Sequence, residues 1–325
     1  MIQVTGLSKK YANYVAVDNI SFSVDKGDIV GFLGPNGAGK TTTMRVLTGF
    51  MPPTAGKVTV GGFDVFEQPF EVKKHIGYLP ETPPLYPEMS VVDYLTFVAR
   101  LKGIPNAEVA DRVQQAMKKC SVADVTTKLI SKLSKGYRQR VGLAQAIVHN
   151  PDVLILDEPT SGLDPKQILE TRDLIKGLAG DHTVILSTHI LPEVEAICKK
   201  VIIINKGKLV KTDSVENLKN RAAFMIELNT RGAADAVAVR QKLEQVVSVS
   251  KVVDRESSTS GRLAFDVEGL AGSDVRPDVA RAVVQAGWNL LEMKSSTTLE
   301  EVFIELTGAD HASEPQPVSA GEEQQ

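Results

Sequence analysis

The run Gly34-Pro35-Asn36-Gly37-Ala38-Gly39-Lys40-Thr41-Thr42 constrains this chain more than any other stretch of it. It has the spacing G-x-x-x-x-G-K-[ST], follows the apolar segment Ile29–Leu33 and opens a helical segment, Thr42–Thr48, that stops at Gly49. A strand that turns through glycines into a helix lets successive backbone N–H groups point inward without Cβ clashes, and the helix N-terminus adds partial positive charge. Such a turn is shaped to surround phosphate oxygens. Lys40 brings a full charge to the β- and γ-phosphates of a nucleotide, and the Thr41 hydroxyl is placed to ligate Mg²⁺. A glycine-rich turn that merely contains lysine is the competing reading. The four fixed positions coincide by chance in about one chain in a hundred of this length, and the strand and helix flanks lower that further. Residues 34–42 are therefore expected to hold ATP.

A second constellation lies at Val153-Leu154-Ile155-Leu156-Asp157-Glu158, where two carboxylates end an apolar run. Behind a phosphate-binding loop, an aspartate in that place holds Mg²⁺, and the next residue can take a proton from an attacking water. Alone, the pair could equally be a solvated strand end. His189 closes another apolar run, 183–188, where a histidine is commonly structural, but a donor to the γ-phosphate is also useful there. A third element is Leu133-Ser134-Lys135-Gly136-Tyr137-Arg138. Ser134 is a good N-cap for a helix reaching Val148. Cations in a first turn oppose the helix dipole, so they suit an anion bound at that end.

The organisation around these motifs is α/β. Strand candidates Ile2–Thr5, Ile20–Val24, Ile29–Leu33, Lys57–Val60, Ile76–Leu79, Val153–Leu156, Val184–Ser187 and Val201–Asn205 alternate with helical segments across residues 1–220. Runs such as 153–156 suit strands buried on both faces, as in parallel sheets. Helical spacing at 91–102, 107–120 and 137–148 gives a helical subdomain over about 88–150, entered through the proline-rich loop 80–87. From 221 to 308 the pattern changes. Strands at Phe224–Leu228, Val247–Val253, Leu263–Val267 and Asn289–Met293, with helices at Ala233–Glu244 and Arg276–Ala286, give the order β-α-β-β-α-β of a small ferredoxin-like α+β domain. An amphipathic helix, Leu299–Leu306, follows. Residues 309–325 are polar, contain proline and are expected to be a disordered tail.

Bulk properties narrow the partners. The net charge of -3 offers no basic field for nucleic acid. Cys120 and Cys198 have no metal-like spacing and suit a reducing compartment. The first residues lack the basic and apolar regions of a leader peptide, and no apolar run approaches the roughly 20 residues that span a bilayer. If the chain serves a membrane, it does so through a partner.

Together, over about residues 2–220, these motifs resemble the ATP-binding subunit of an ATP-binding cassette (ABC) transporter. The resemblance implies a P-loop NTPase fold in which 34–42 is Walker A, 153–158 Walker B, Leu133-Ser-Lys-Gly-Tyr the signature sequence, Ser161-Gly-Leu-Asp164 the D-loop and His189 the switch histidine. Lys40, Glu158 and His189 are then the catalytic side chains, and Tyr11 falls where an aromatic stacks on adenine. Ser134 and Gly136 are implied to bind the ATP held by a second subunit. Thr41, Asp157 and the Q-loop residue Glu81 are the implied Mg²⁺ ligands. Two departures stand out: Lys135 and Tyr137 replace the usual glycine and glutamine of the signature, and Glu81 replaces glutamine. Both are similar to the exporter branch with separately encoded permeases, including the gliding-motility type, which also carries an extra C-terminal domain. The resemblance implies a peripheral ATPase on the inner, cytoplasmic face of the membrane, joined to an integral-membrane permease and working as a homodimer or with a similar second subunit. The 221–308 domain would regulate or stabilise that pair, or be inert. The competing functions are a soluble ABC ATPase of translation or DNA repair, which usually has two cassettes or a coiled-coil insertion, and an ATP-binding regulator without turnover.

Overall fold

The computed structural model describes residues 1–219, 223–230, 232, 235–255, 261–270, 275–295 and 299–308. Two compact units divide the chain, Met1–Val215 and Glu216–Gln325. The boundary expected at 220/221 and the tail expected at 309–325 fall on residues outside those described, as do positions 233 and 234 of one expected helix.

In chain order the first unit holds β1 (Ile2–Tyr11), β2 (Tyr14–Val24), β3 (Ile29–Leu33), α1 (Lys40–Leu47), β4 (Ala55–Val60), β5 (Phe63–Asp64), α2 (Pro69–His75), β6 (Ile76–Leu79), α3 (Val91–Leu101), α4 (Asn106–Lys119), α5 (Lys135–Ile147), β7 (Val153–Asp157), α6 (Pro165–Leu178), β8 (Thr183–Thr188), α7 (Leu191–Ile197), β9 (Lys200–Asn205) and β10 (Lys208–Ser214). A short helix, α8 (Val215–Lys219), falls at the division. The strands form two sheets. One has the order β10-β9-β3-β8-β7-β6 and is parallel except for β10. The other, β2-β1-β4-β5, is antiparallel.

The alternating pattern of the sequence did not separate these sheets, yet residue burial does. Every residue of β3, β7 and β8 is buried, as central parallel strands covered on both faces require. At the start of β1 burial alternates instead: Ile2 and Val4 are buried, Gln3 and Thr5 exposed. Ile2, Val4, Ile20 and Phe22 of the antiparallel sheet pack against Val30, Phe32, Ile155 and Ile202 of the parallel one, with Met44 and Leu47 of α1 in the same core. Away from that core, α3, α4 and α5 pack together as the helical subdomain, and α5 leans on β6. Capping follows the sequence: Ser90 accepts from Asp93 N–H (3.2 Å) at α3, and Asp164 accepts from Gln167 N–H (3.0 Å) at α6.

The second unit holds β11 (Ala223–Asn229), α9 (Ala236–Glu244), β12 (Val249–Arg255), β13 (Leu263–Gly269), α10 (Arg276–Gln285), β14 (Asn289–Ser295) and α11 (Leu299–Gly308). Its antiparallel sheet has the order β12-β13-β11-β14, the arrangement of a ferredoxin-like β-α-β-β-α-β unit. Val239, Leu243, Val279 and Val283 of the two helices pack on Phe224, Ile226, Phe265 and Val267 of the sheet. Among the described residues no helix is long and apolar enough to cross a membrane.

Candidate functional site

β3 delivers the chain to the glycine loop. It lies between β8 and β9, so its end is fixed at the carboxyl edge of the parallel sheet, where open α/β sheets bind ligands. A Cβ at Gly34 would come within 2.4 Å of the Ile204 carbonyl. At Gly39, φ is +103° and a Cβ would meet the Ala16 carbonyl at 2.5 Å, so neither position admits a side chain. Ala38 N–H donates to Pro35 O (3.2 Å), and Gly207 N–H to Ala38 O (3.0 Å), which closes the loop; Asn36 and Gly37 are exposed at its tip. Lys40 is only 6% exposed. Its Nζ donates to Gly34 O (2.8 Å) and Pro35 O (3.2 Å) and stands 3.3 Å from Glu158 Oε1. Thr41 Oγ1 donates to Asp157 Oδ1 (3.3 Å), and Thr42 is half-buried in the same first turn of α1.

The carboxylates arrive from β7. Asp157 is its last residue and pairs in register with Ser187 of β8. Ser187 Oγ donates to Asp157 Oδ1 (2.5 Å), and Glu158 N–H is shared between Ser187 Oγ and Ser187 O, each at 3.1 Å. These bonds hold Glu158 in the left-handed region, φ +48°, which is costly for a residue with a Cβ. Glu158 meets both Lys40 and His189, whose Nδ1 lies 2.9 Å from Glu158 Oε2. A carboxylate only accepts, so the ring proton of His189 is assigned to Nδ1. Glu81 joins the cluster through Ser161 Oγ, which donates to Glu81 Oε1 (3.2 Å).

Burial holds the Asp157 carboxyl above the usual carboxylate range. Glu158 and Glu81 add repulsion, while hydrogen bonds from Ser187 and Thr41 pull it back. The cluster thus sets three carboxylates against Lys40 and rewards an added cation. Among the described residues no three His, Cys, Asp or Glu side chains converge as a metal cage. Mg²⁺ takes one or two carboxylates and completes its shell with phosphate oxygens and water, and Thr41 beside Asp157 is a donor set of that kind.

Other expected residues lie differently. Tyr11, at the end of β1, donates its hydroxyl to Met51 Sδ (3.0 Å), with Lys9 Nζ 5.5 Å from its ring centroid. Tyr14, across the same hairpin, is the tyrosine hydrogen-bonded to the glycine loop, at Gly37 O (3.4 Å). Ser134 caps α5 by accepting from Tyr137 N–H (3.3 Å), and Gln167 lies so close over Gly136 that a Cβ there would come within 2.6 Å of its Cδ. Among the described residues neither Ser134 nor Gly136 is hydrogen-bonded to the glycine loop. One chain therefore gathers Lys40, Thr41, Glu81, Asp157, Glu158 and His189, and leaves Ser134 and Gly136 apart. The sequence reading passed over Tyr14, Ser187, Thr160, Thr188 and Glu193. The signal for Ser187 and Thr188 was present, as two hydroxyls closing the buried strand after the apolar run Val184-Ile185-Leu186.

The family model described as ABC transporter matches residues 17–161. The chain is 35% identical to the bacitracin transport ATP-binding protein BcrA of Bacillus licheniformis over 95% of its own length and 97% of that protein. It is 33% identical to the uncharacterised ABC transporter ATP-binding protein YhcH of Bacillus subtilis, over 95% of this chain and 96% of that one. Among solved structures, the ATP-binding subunit of an ABC transporter superposes with a TM-score of 0.62 at 29% identity, covering 67% of this chain and 92% of that one.

Proposed function

The chain belongs to the ATP-binding subunits of ABC transporters, and from that premise we propose how its own residues divide the work of ATP turnover. Proteins of this family bind and hydrolyse ATP, dimerise and pair with membrane permease components; the reading of translation or repair finds no support among the relatives named. In this chain the glycine loop 34–39 and the N-terminus of α1 bind the phosphates, and Lys40 leaves Glu158 to neutralise the terminal one. Thr41 and Asp157, with Glu81 beside them, hold Mg²⁺, which shields the phosphate charge when bound. Glu158 orients water and takes its proton, while His189 steadies Glu158 and faces the terminal phosphate. Tyr11 and Tyr14 line the approach of the adenosine.

The observation that carries this reading is the continuous set of contacts from Thr41 to Asp157, Ser187, Glu158, Lys40 and His189. It is tested by titrating ATP against Lys40→Ala, which is expected to lose nucleotide affinity by tenfold or more, roughly one charge-assisted bond. Unaltered affinity overturns the assignment.

Because Ser134 and Gly136 lie apart from Lys40, they are proposed to close over ATP held by a second subunit, identical or similar, in a two-fold head-to-tail pair. Permease contact is proposed at the helical subdomain and the 80–87 loop. A cavity of about 460 Å³ lined by Arg45, Phe50, Tyr78, Pro84, Lys102 and His149 supports that choice, since it opens between α1, that loop and the helical subdomain. This attachment would keep the chain at the inner face of the cell membrane. Likeness to a bacitracin transport protein along nearly the whole chain supports a role in transport.

A further inference from the structure

The two loops that carry Glu158 and His189 meet at one buried carboxylate. Glu193, in the first turn of α7, has no exposed surface. Its oxygens serve different loops. Oε1 accepts from the Thr160 hydroxyl, two residues beyond Glu158, and Oε2 accepts from Thr188 Oγ1 (2.8 Å), directly before His189. Thr188 Oγ1 in turn accepts from Ile190 N–H (3.0 Å), so His189 sits inside a closed threonine turn whose hydroxyl Glu193 orients. Glu193 N–H donates to Ile190 O (3.1 Å) and ties the same turn from the other side. Opposite, Ser161 N–H donates to Glu158 O (3.1 Å), so Thr160 lies within the turn that follows Glu158. Thr160 and Thr188 are both buried, and Arg172 Nη2 stands 4.0 Å from Glu193 Oε1.

A buried carboxylate adds less to a core than an apolar side chain of its size. What it adds here is the simultaneous orientation of two hydroxyls on separate loops. We propose that Glu193 is a positioning residue for ATP hydrolysis, holding Thr160 and Thr188 so that Glu158 and His189 keep their mutual distance. This rests on the reading of Glu158 and His189 as the hydrolytic pair. Glu193 is not among the contacts of the glycine loop, so its removal acts on turnover and spares nucleotide binding.

In the full chain, Glu193→Ala is expected to lower kcat by roughly 10- to 100-fold through misplacement of the pair, with KM for ATP little changed. Glu193→Gln keeps the size and one carbonyl acceptor, and is expected to recover part of the rate. Combined with His189→Ala, Glu193→Ala should add little further loss, because both act on one unit. If Glu193→Ala melts below the assay temperature, Thr160→Val, which removes one bond to Glu193, and Thr188→Val, which removes the other together with the acceptor of Ile190 N–H, give the same readings. The proposal is overturned by a folded Glu193→Ala chain with unchanged kcat, by a loss confined to KM, or by losses that multiply with that of His189→Ala. Glu158→Gln measured alongside separates the two failures. If Glu158→Gln still turns over, the hydrolytic reading itself has failed; if it is inactive while Glu193→Ala is normal, only the positioning role has.

Discussion

Replacing Glu158 by glutamine separates the charge of this site from its shape. Gln fills the same volume and still offers a carbonyl to Lys40 or His189, but it has no negative charge and cannot take a proton from water. The consequences for binding and for turnover have opposite signs. Lys40 Nζ stands 3.3 Å from Glu158 Oε1, and both side chains are buried. At an effective dielectric of about 20 the gross attraction at that distance is about 5 kcal/mol, of which desolvation offsets the greater part. The remainder holds Lys40 on Glu158 in competition with phosphate. Glu158→Gln should therefore bind ATP as tightly as the parent, or up to about tenfold tighter, which corresponds to about 1.4 kcal/mol. A positioned base contributes about 10²- to 10⁴-fold to a rate, or about 3 to 5 kcal/mol of barrier. The variant should turn over at least about a hundredfold more slowly and accumulate as a nucleotide-bound dimer. Equilibrium binding of ATP, phosphate release and gel filtration with and without ATP measure the three quantities. Turnover close to that of the parent, or a clear loss of ATP affinity, would refute the reasoning.

Other predictions concern the cation, a histidine that lines the cavity, and the pair. Asp157 is held above the usual carboxylate range, and a protonated carboxyl does not ligate a metal; Mg²⁺ titrations at falling pH should show its affinity weaken earlier than an ordinary aspartate would allow, and a flat response would contradict this. His149 Nε2–H donates to Ile76 O (3.0 Å), and burial lowers its pKa to about 4, so the folded chain keeps it neutral while the unfolded chain protonates near the ordinary histidine value of 6.5. Its contribution is complete above pH 6.5 and is lost as pH falls toward 4, about 3 kcal/mol in all; His149→Gln should flatten the acid limb of chemical denaturation in that window. If Ser134 and Gly136 serve the ATP of a second subunit, the specific rate of the isolated chain should rise with protein concentration until the pair saturates, and a specific rate independent of dilution would point to a site complete in one chain.

The residues proposed to face phosphate stand out in the sequence because each is a local pattern. Gly34, Gly39, Lys40 and Thr41 have fixed spacing within one turn, and their backbone demands, φ +103° at Gly39 and a carbonyl 2.4 Å from any Cβ at Gly34, are ones that few other residues meet. Asp157 and Glu158 were legible as polar residues at the end of an apolar run. Sheet membership was harder to read. Ile2–Thr5 and Lys57–Val60 look like any short strands, and their alternation of buried and exposed residues became informative only once β1 and β4 were paired antiparallel, apart from the parallel sheet. Short pieces with weak patterns, such as β5 and α2, were missed for the same reason.

The polar network behind the site was illegible for a different reason. Ser187, Thr160 and Thr188 are small residues that fill a core as readily as they orient a carboxylate, so their identity alone does not separate the two uses. Register does. Because β7 and β8 run parallel with Asp157 opposite Ser187, Glu158, which follows β7, comes level with Thr188, the last residue of β8, and the loops that begin there must be tied together if Glu158 is to meet His189 at 2.9 Å. A carboxylate on the following helix, four residues after His189, is within reach of both loops; an asparagine there would be one bond shorter and a leucine would orient neither hydroxyl. The hydrolytic geometry thus depends on a residue that no phosphate-facing pattern includes, and a search for such residues begins from the hydroxyls at the ends of buried parallel strands.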